Sequence, residues 1–336
     1  MSRVSHPLLE VDGLGVDLAV AGRWVPVVRG LSFHVERGEV VGLVGESGAG
    51  KTLAALALLR LLPPPARAVS GRVRLEGEDV LGLAPARLRR VRGGRIAMIF
   101  QEPMTALDPV YTIGQQIAEA VRAHRRVGRA EARREATRLL ERVAVPDASR
   151  RFDDYPHQLS GGQRQRAMIA MALACGPDLL VADEPTSALD VTVQGQILDL
   201  LADLRRELGL AVLLITHDLG VVAASCDRVL VMYAGELVEE GDAGELFAAP
   251  AHPYTRALLA AVPRLGRPAP RGRLPAIPGR VPEPGRLPPG CPFHPRCPQV
   301  MAACRQRPPA LYPVGGAGRA ARCLLHEGRA MEGGAA

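Results

Sequence analysis

Apolar and polar residues alternate along the chain in blocks whose lengths distinguish strands from helices. Four short apolar runs have the length and composition of buried strands. They span residues 40–44, 96–100, 179–182 and 211–215. Helix-periodic or apolar helix-like stretches occupy residues 53–62, 115–145 and 191–208. Strands that alternate with helices predict an α/β domain with a mainly parallel sheet.

The composition changes after about residue 262. Residues 263–313 contain 15 prolines, which excludes regular helix and central strand from this stretch. We therefore expect a main domain over residues 1–262, a Pro/Arg-rich linker over 263–290 and a small cysteine module over 291–336.

Overall composition is that of a globular protein with an aliphatic core. Of the 336 residues, 47% are hydrophobic, 23% are charged and only 3% are aromatic. So few aromatic residues weaken any function based on stacking nucleic-acid bases. No apolar run has the ~18 residues of a membrane helix, and Glu10 and Asp12 interrupt any secretory signal. The chain is therefore expected to be neither membrane-spanning nor secreted.

A glycine-rich segment directly follows the first apolar run. It fits the pattern G-x-x-x-x-G-K-[ST] and consists of Gly45, Glu46, Ser47, Gly48, Ala49, Gly50, Lys51 and Thr52. In such a loop, backbone N–H groups turn toward phosphate oxygens and the following helix presents its positive end. We expect Lys51, the only lysine of the chain, to reach the β- and γ-phosphates and Thr52 to ligate Mg²⁺.

Two acidic residues, Asp183 and Glu184, end the apolar run 179–182. Open α/β sheets bind ligands at the carboxyl ends of their strands. Asp183 is expected to hold Mg²⁺, directly or through water, and Glu184 to act as general base on the attacking water. Adjacent acids are also common on protein surfaces, but these two end a buried run in a chain that has a phosphate loop.

Between these motifs lies the sequence LSGGQ at residues 159–163. The phosphate loop, Gln101, LSGGQ, the acidic pair, SALD at 187–190 and His217 follow one another in that order. Because it has these six motifs in this order, the chain resembles the ATP-binding subunits of ABC transporters. The resemblance implies an α/β fold of the ABC type over residues 1–262, with a RecA-like parallel-sheet core, an antiparallel β subdomain and a helical subdomain at about 103–178. It also implies ATP hydrolysis with Mg²⁺.

The resemblance implies a role for each matching residue. Gln101 corresponds to the glutamine that senses Mg²⁺ and the γ-phosphate and couples to the membrane subunit. Asp190 corresponds to the residue that links the two sites of a dimer, and His217 to the switch histidine on the γ-phosphate. The segment that closes on the ATP of the opposite subunit corresponds to Ser160, Gly161, Gly162 and Gln163, where a helix N-terminus faces an anion. The implied catalytic set is Lys51, Gln101, Glu184 and His217.

One position departs from the family pattern. The family usually stacks an aromatic ring on adenine from a loop upstream of the phosphate loop, and that position is Leu18 here. Trp24 is the nearest aromatic residue. The adenine contact is expected from the Leu18 position or from Trp24, and the alternative for Trp24 is a packed edge residue.

Four further segments resemble the ATPases of oligopeptide, dipeptide and nickel importers. They are residues 100–109, 187–196, 252–259 and 290–297. The resemblance implies a peripheral subunit at the cytoplasmic face of the cell membrane that powers peptide uptake, with nickel or glutathione as alternative cargo. The implied partners are a second ABC ATPase that is often a different chain, two transmembrane permeases and an extracytoplasmic solute-binding protein.

Four of the six cysteines cluster with the spacing C-x5-C-x6-C-x18-C, at Cys291, Cys297, Cys304 and Cys323. In a cytosolic protein, clustered cysteines favour a metal over disulfides. Members of the importer group can carry an iron–sulfur cluster in this region. We therefore expect a [4Fe–4S] cluster first, zinc second and unliganded thiols third.

Two other functions are open. A soluble ABC ATPase acting on nucleic acid or ribosomes would use the net charge of +9 that follows residue 262. Such proteins usually have paired cassettes or a long coiled-coil insertion, neither of which is visible, so no nucleic-acid partner is expected. A non-catalytic regulatory subunit is disfavoured by Glu184 and His217.

Overall fold

The computed structural model describes residues 6–262, 276–316 and 318–328 of the chain, which form two compact units. The first comprises the described residues of Met1–Leu9 with His34–Glu39 and Arg74–Ile215. The second comprises Glu10–Phe33, Val40–Val73 and the described residues of Thr216–Ala336. Parts of the predicted linker and cysteine module, at 263–275, 317 and 329–336, lie outside the described residues.

The described residues contain strands and helices throughout. The strands are β1 Leu9–Val20, β2 Arg23–Val35, β3 Val40–Val44, β4 Ala66–Leu75, β5 Glu78–Asp79, β6 Ile96–Ile99, β7 Leu179–Asp183, β8 Ala211–Ile215, β9 Arg228–Tyr233, β10 Glu236–Asp242, β11 Tyr312–Pro313 and β12 Ala320–Ala321. The α-helices are α1 Lys51–Leu58, α2 Pro85–Val91, α3 Pro103–Ala106, α4 Ile113–His124, α5 Arg129–Arg142, α6 Ala148–Arg151, α7 Gly161–Ala172, α8 Val191–Leu208, α9 Leu219–Ser225, α10 Ala243–Ala248 and α11 Pro253–Ala261.

Three parallel strands, in the order β8-β7-β6, form the sheet of the first unit. β7 pairs with both neighbours, with Leu179 opposite Ala211 in β8 and Ile96 in β6. Every residue of these strands is buried, as their uninterrupted apolar runs predict. Because the strands are parallel, their carboxyl ends lie at one edge, where β7 ends in Asp183.

In the first unit, α2 precedes β6 and the other helices follow β6 and β7. The helix-periodic stretch 115–145 contains two helices, α4 and α5, which pack on each other and on α7. Thr112 and Gln115 form a capping box that begins α4, and Gly128 occupies the N-cap of α5. The interruption at 125–128 lets both apolar faces reach one core, which one continuous helix would not allow.

The second unit combines parallel and antiparallel pairing. β3 runs parallel to β9, whereas β9-β10, β10-β12 and β12-β11 are antiparallel. A second sheet contains β2, β1 and β4 side by side. This mixture confirms the predicted fold class of an α/β protein with a parallel core and an antiparallel β part. Within the described residues, no helix combines the length and apolarity needed to cross a membrane.

The core of the second unit includes aromatic rings although aromatic residues are scarce. Tyr233 on β9, Tyr254 on α11 and Phe293 are each at most 1% exposed. Their ring centroids lie 4.7–5.3 Å apart in tilted or edge-on arrangements. Phe293 belongs to the predicted cysteine module, so residues after the predicted linker 263–290 pack in this core.

A buried polar cluster fixes the turn before α11. Glu239 on β10 is fully buried and accepts the N–H groups of Ala251 and His252 at 2.7 and 2.8 Å. His252 is 1% exposed, and its Nδ1 accepts the N–H of Tyr254 at 3.0 Å. The cluster therefore holds the first residues of α11 through main-chain groups.

We expect His252 to make the free energy of unfolding depend on pH. Burial lowers its pKa from 6.5 to about 3, although a hydrogen bond with the backbone of Arg322 acts in the opposite direction. The nearby charges of His326, Arg256 and Arg322 lower the pKa further. Between these two values the unfolded chain binds a proton that the folded chain does not, so stability is complete above pH 6.5 and declines below it. The slope contributed by this group is about 1.4 kcal/mol per pH unit.

Urea unfolding of the full chain across that pH window measures the effect. His252→Gln keeps an acceptor for the N–H of Tyr254 and should flatten the dependence. His157→Gln, at an exposed position, should leave it unchanged. Equal slopes for the wild type and His252→Gln would refute the assignment.

Candidate functional site

The glycine-rich loop joins β3 to α1 in the second unit, as the motif predicts. Gly45 has φ +154°, and a Cβ there would lie 2.3 Å from the carbonyl oxygen of Met232. Gly50 forms the N-cap of α1 with φ +95°, and its Cβ would lie 2.8 Å from the carbonyl oxygen of Val27. Only glycine fits these positions, because the loop passes close to neighbouring backbone.

Lys51 is the first residue of α1 and is 7% exposed. Its ammonium donates hydrogen bonds to the carbonyl oxygens of Gly45 and Glu46 at 2.8 and 3.2 Å. The next residue, Thr52, is exposed. The loop therefore holds a cation against its own backbone beside an accessible hydroxyl, a combination suited to binding phosphate.

Three predicted residues of the first unit meet at the carboxyl end of β7. Glu184 follows the buried Asp183, and one carboxylate oxygen of Glu184 accepts the side-chain amide of Gln101 at 3.0 Å. The hydroxyl of Ser187 donates to the carbonyl oxygen of Gln101 at 2.9 Å. These bonds join the loop after β6 to the loop after β7.

Glu184 has a left-handed backbone, with φ +46°, although it is not glycine. Its N–H donates to the carbonyl oxygen of Ile215 at 2.8 Å, which holds the residue at the edge of the sheet. A non-glycine residue in this conformation costs about 1–3 kcal/mol. Such strain is often found where a side chain has to be aimed for function.

The LSGGQ segment forms the N-terminus of α7. Ser160 is the N-cap and exchanges capping hydrogen bonds with Gln163: its hydroxyl accepts the N–H of Gln163 at 3.3 Å, and its own N–H donates to the Gln163 side chain at 3.0 Å. Ser160 is exposed, and Gly161 and Gly162 are half-buried. The first turn of α7 therefore offers backbone N–H groups to an external anion.

We expect opposite stability effects from two Gly→Ala substitutions in neighbouring helices. A Cβ at Gly162 would lie 2.8 Å from a methyl group of Val193, so Gly162→Ala should destabilise the chain by about 1–3 kcal/mol. A Cβ at Gly195 in α8 meets no atom within 4 Å, so Gly195→Ala should stabilise it by about 0.5–1 kcal/mol. Thermal unfolding checks both signs, and adding Val193→Ala should recover part of the Gly162→Ala loss.

Asp190 and His217 each lie just before a helix, α8 and α9 respectively. The Asp190 side chain caps α8 by accepting the N–H of Val193 at 3.0 Å. His217 is exposed in the connection between β8 and α9, and Asp218 caps α9. The capping bond gives Asp190 a structural role in α8. Its role in linking the two sites of a dimer stays a prediction. The role of His217 as the switch histidine also stays a prediction.

The two candidates for the adenine contact both lie in the second unit, on β1 and β2. Leu18 is half-buried, whereas Trp24 is 47% exposed. The guanidinium of Arg67 lies 3.8 Å from the centroid of the Trp24 ring, so a cation covers one face of that ring. The choice between the two positions stays a prediction.

Comparison with known proteins decides the family. Residues 28–187 match the ABC transporter family, and residues 238–304 match the C-terminal region of oligopeptide/dipeptide transporters. Over 323 residues the chain is 52% identical to a peptide import ATP-binding protein of Brucella abortus (strain 2308), with 96% of each chain covered. The chain belongs to the ATP-binding proteins of ABC transporters.

Further relatives agree with this assignment of an ABC ATPase. The chain is 45% identical to the oligopeptide transport ATP-binding protein AppD of Bacillus subtilis (strain 168), covering 97% of this chain and 98% of AppD. Among solved structures, the ATP-binding cassette MJ0796 bound to ADP and Pi is 26% identical with a TM-score of 0.63, covering 70% of this chain and 98% of the cassette. A second, cbiO1 from Clostridium perfringens, is 27% identical with a TM-score of 0.62, covering 73% and 92%.

In this ABC ATPase the four C-terminal cysteines are free thiols. The N–H of Cys291 donates to the carbonyl oxygen of Cys304 at 2.8 Å. Burial raises the pKa of Cys291 to about 11, and the nearby Cys304, Cys323 and Cys297 add to this. In the part of the chain that the structure describes, no group of three or more His, Cys, Asp or Glu side chains is arranged to hold a metal ion. The structure therefore does not support the predicted [4Fe–4S] cluster or the zinc alternative.

Tyr254 and Arg296 of this ABC ATPase contact the phosphate loop, although the sequence motifs assign neither of them a role. The hydroxyl of Tyr254 accepts the N–H of Glu46 at 2.8 Å. The guanidinium of Arg296 binds both carboxylate oxygens of Glu46, at 2.7 and 2.9 Å. Their only signal in the sequence is that segments 252–259 and 290–297 resemble the importer group.

Proposed function

We propose that this chain binds and hydrolyses ATP to power a peptide importer. The observation that carries the proposal is similarity over nearly the whole chain, including residues after the cassette, to proteins named for peptide import. The match to the C-terminal region of oligopeptide/dipeptide transporters favours dipeptides or oligopeptides over nickel or glutathione as cargo.

The phosphate loop binds the phosphates of ATP, whereas the carboxylates act on the attacking water and on Mg²⁺. Backbone N–H groups of the loop and the Lys51 ammonium bind the β- and γ-phosphates and stabilise the charge that develops on them. Glu184, oriented by Gln101, takes a proton from the attacking water. Thr52, Gln101 and Asp183 would hold Mg²⁺, and their hydroxyl, amide and carboxylate oxygens are the donors that this ion prefers. When bound, Mg²⁺ would neutralise phosphate charge.

The LSGGQ segment acts on the ATP of a second subunit. The exposed Ser160 and the first turn of α7 close on the γ-phosphate, supported by the positive end of the helix. His217 contacts the γ-phosphate of the ATP at this chain's own phosphate loop, and Asp190 links the two sites of the dimer. Binding of ATP would thus close the dimer, and hydrolysis would reopen it.

The proposed assembly contains this chain at the cytoplasmic face of the membrane, a second ABC ATPase, two permeases and a solute-binding protein. Affinity purification of the tagged chain from native membranes, followed by mass spectrometry, tests the assembly. Recovery of two polytopic permeases and a second ATPase is the expected result. Recovery of ribosomal or DNA-bound proteins without permeases would instead favour the soluble-ATPase alternative.

Cargo is tested separately, in vesicles that contain the purified assembly. ATP-dependent uptake of a labelled peptide is expected to exceed uptake of nickel and of glutathione. Uptake of either alternative without peptide uptake would refute the peptide cargo while leaving the ATPase function intact.

The metal at the four cysteines stays a prediction that rests on their number and on the family resemblance. Iron and zinc analysis of anaerobically purified protein, with absorbance near 400 nm as the sign of an iron–sulfur cluster, tests it. A variant with serine at all four positions is the control. Equal metal content in the variant and the wild type would leave these cysteines as packing residues.

A further inference from the structure

An arginine from the C-terminal region holds the phosphate loop through the loop's acidic residue. Arg296 and Glu46 are 250 residues apart in the chain and both belong to the second unit. Their guanidinium and carboxylate form two hydrogen bonds, of 2.7 and 2.9 Å. The Arg296 side chain is 4% exposed and that of Glu46 is 28% exposed. A bidentate and largely buried pair of this kind is both stronger and more directional than a surface ion pair.

The rest of the Arg296 side chain is fixed on other sides. Its Nε donates to the carbonyl oxygen of Pro278 at 2.8 Å, and its Nη2 lies 3.5 Å from that of Ile277. Its guanidinium carbon lies 5.8 Å from the ring centroid of Tyr233 and 6.0 Å from that of Phe293. A 3₁₀ turn at His294–Arg296 carries it. Its position is therefore set by contacts with the C-terminal region and with β9.

The N–H, the carbonyl oxygen and the carboxylate of Glu46 all form hydrogen bonds. Its N–H donates to the hydroxyl of Tyr254, its carbonyl oxygen accepts the N–H of Ala49 at 3.1 Å and the Lys51 ammonium at 3.2 Å, and its carboxylate binds Arg296. The conformation of the loop at this residue thus depends on α11 and on the C-terminal region as well as on its own glycines.

The positive charge of Arg296 also affects how the loop can bind phosphate. The loop has to bind a triphosphate, and an unpaired carboxylate on the second of its eight residues would repel that ligand. Arg296 neutralises the carboxylate without adding a free cation. The hydrogen-bonded Glu46 carboxylate in turn raises the pKa of Arg296, so the guanidinium keeps its positive charge.

We propose that Arg296 is a positioning residue for ATP binding, which acts by neutralising Glu46 and by fixing the phosphate loop. The proposal rests on the proposed role of the loop in binding phosphate. It makes the C-terminal region, which follows the cassette in the chain, a determinant of nucleotide affinity.

The test measures the Kd of the purified full chain for ATP with Mg²⁺ by titration calorimetry. Arg296→Gln leaves the Glu46 carboxylate unpaired and should raise Kd about tenfold. Glu46→Gln loses the bidentate bond that fixes the loop but also removes the repelling charge, so it should raise Kd less than Arg296→Gln does. The double variant should bind ATP about as tightly as Glu46→Gln and more tightly than Arg296→Gln, because no unpaired carboxylate remains.

Arg307→Gln is the matched control. It removes the same charge from the C-terminal region by breaking an exposed pair with Glu327, and it should leave Kd unchanged. In the assembled transporter, Arg296→Gln should raise KM for ATP while kcat changes little. Arg296→Lys keeps the charge but loses the bidentate geometry, so its Kd should lie between those of wild type and Arg296→Gln.

The outcomes separate this proposal from its rivals. Equal weakening by Arg296→Gln, Glu46→Gln and the double variant would show a merely structural pair and overturn the proposal, as would an unchanged Kd for Arg296→Gln. If circular dichroism shows that Arg296→Gln does not fold, the Kd values of Arg296→Lys and of the double variant test the proposal instead. Failure of wild type to bind ATP would refute the proposed function instead.

Discussion

Replacing Glu184 by glutamine is expected to slow ATP hydrolysis at this chain's site by about 100-fold or more, the usual contribution of a positioned general base. The carboxylate accepts the Gln101 amide at 3.0 Å and stands on a strained backbone with φ +46°. Glutamine has nearly the same shape but takes no proton, so ATP should still bind and remain intact. Phosphate release by the assembled transporter and retention of labelled ATP measure the two effects.

Glu207→Gln is the matched control for this substitution. It removes the same charge from α8, where Glu207 pairs with Arg142 at 2.9 Å on the surface, and the rate should stay within about twofold of wild type. If the partner ATPase is a different chain, its equivalent glutamate is replaced in every complex, so that turnover reports this chain alone. Undiminished hydrolysis with Glu184→Gln would favour the non-catalytic regulatory subunit.

Replacing Lys51 by alanine is expected to weaken ATP binding by the purified chain by more than about tenfold, since a charge-assisted bond to phosphate is lost. Lys51 is 7% exposed and its ammonium already points at the loop carbonyls. Because Lys51 is the only lysine, an amine-directed reagent reports on it directly. ATP should protect the peptide that contains Lys51 from modification, as mass spectrometry would show.

Arg72→Ala controls for the loss of one positive charge. Arg72 is exposed on β4 of the same unit, and its removal should leave the Kd for ATP unchanged. Equal affinity in Lys51→Ala and wild type, or modification of Lys51 that ATP does not affect, would refute the assignment of the phosphate loop.

Strand and helix positions follow closely from local patterns. The apolar run 211–215 is β8 and the helix-periodic stretch 191–208 is α8, with the predicted bounds. The stretch 115–145 shows the limit of such patterns, because it is broken into α4 and α5. Periodicity records which face of a helix is apolar but not where the chain turns to bring two such faces together.

The motifs indicate which residues are candidates for the chemistry, but not the hydrogen bonds that hold those residues in place. Lys51, Gln101 and Glu184 are recognisable in the sequence as candidates, because phosphate binding and water activation need those residue types at fixed places in an α/β domain. The bond from Gln101 to Glu184 joins residues 83 positions apart and depends on β6 and β7 being neighbours. The metal at the cysteine cluster stays a prediction, since cysteine number alone does not arrange thiols around a metal and the described residues contain no such arrangement.

By itself, the sequence of this protein determined the family, the fold class and the candidate residues for binding ATP, because these depend on short motifs and on local periodicity. Tertiary structure decided that Arg296 pairs with Glu46 and that Tyr254 holds the loop backbone. Each of these contacts joins residues more than 200 positions apart. Only packing around a shared core brings such residues within hydrogen-bond distance, and no local pattern in the chain encodes that proximity.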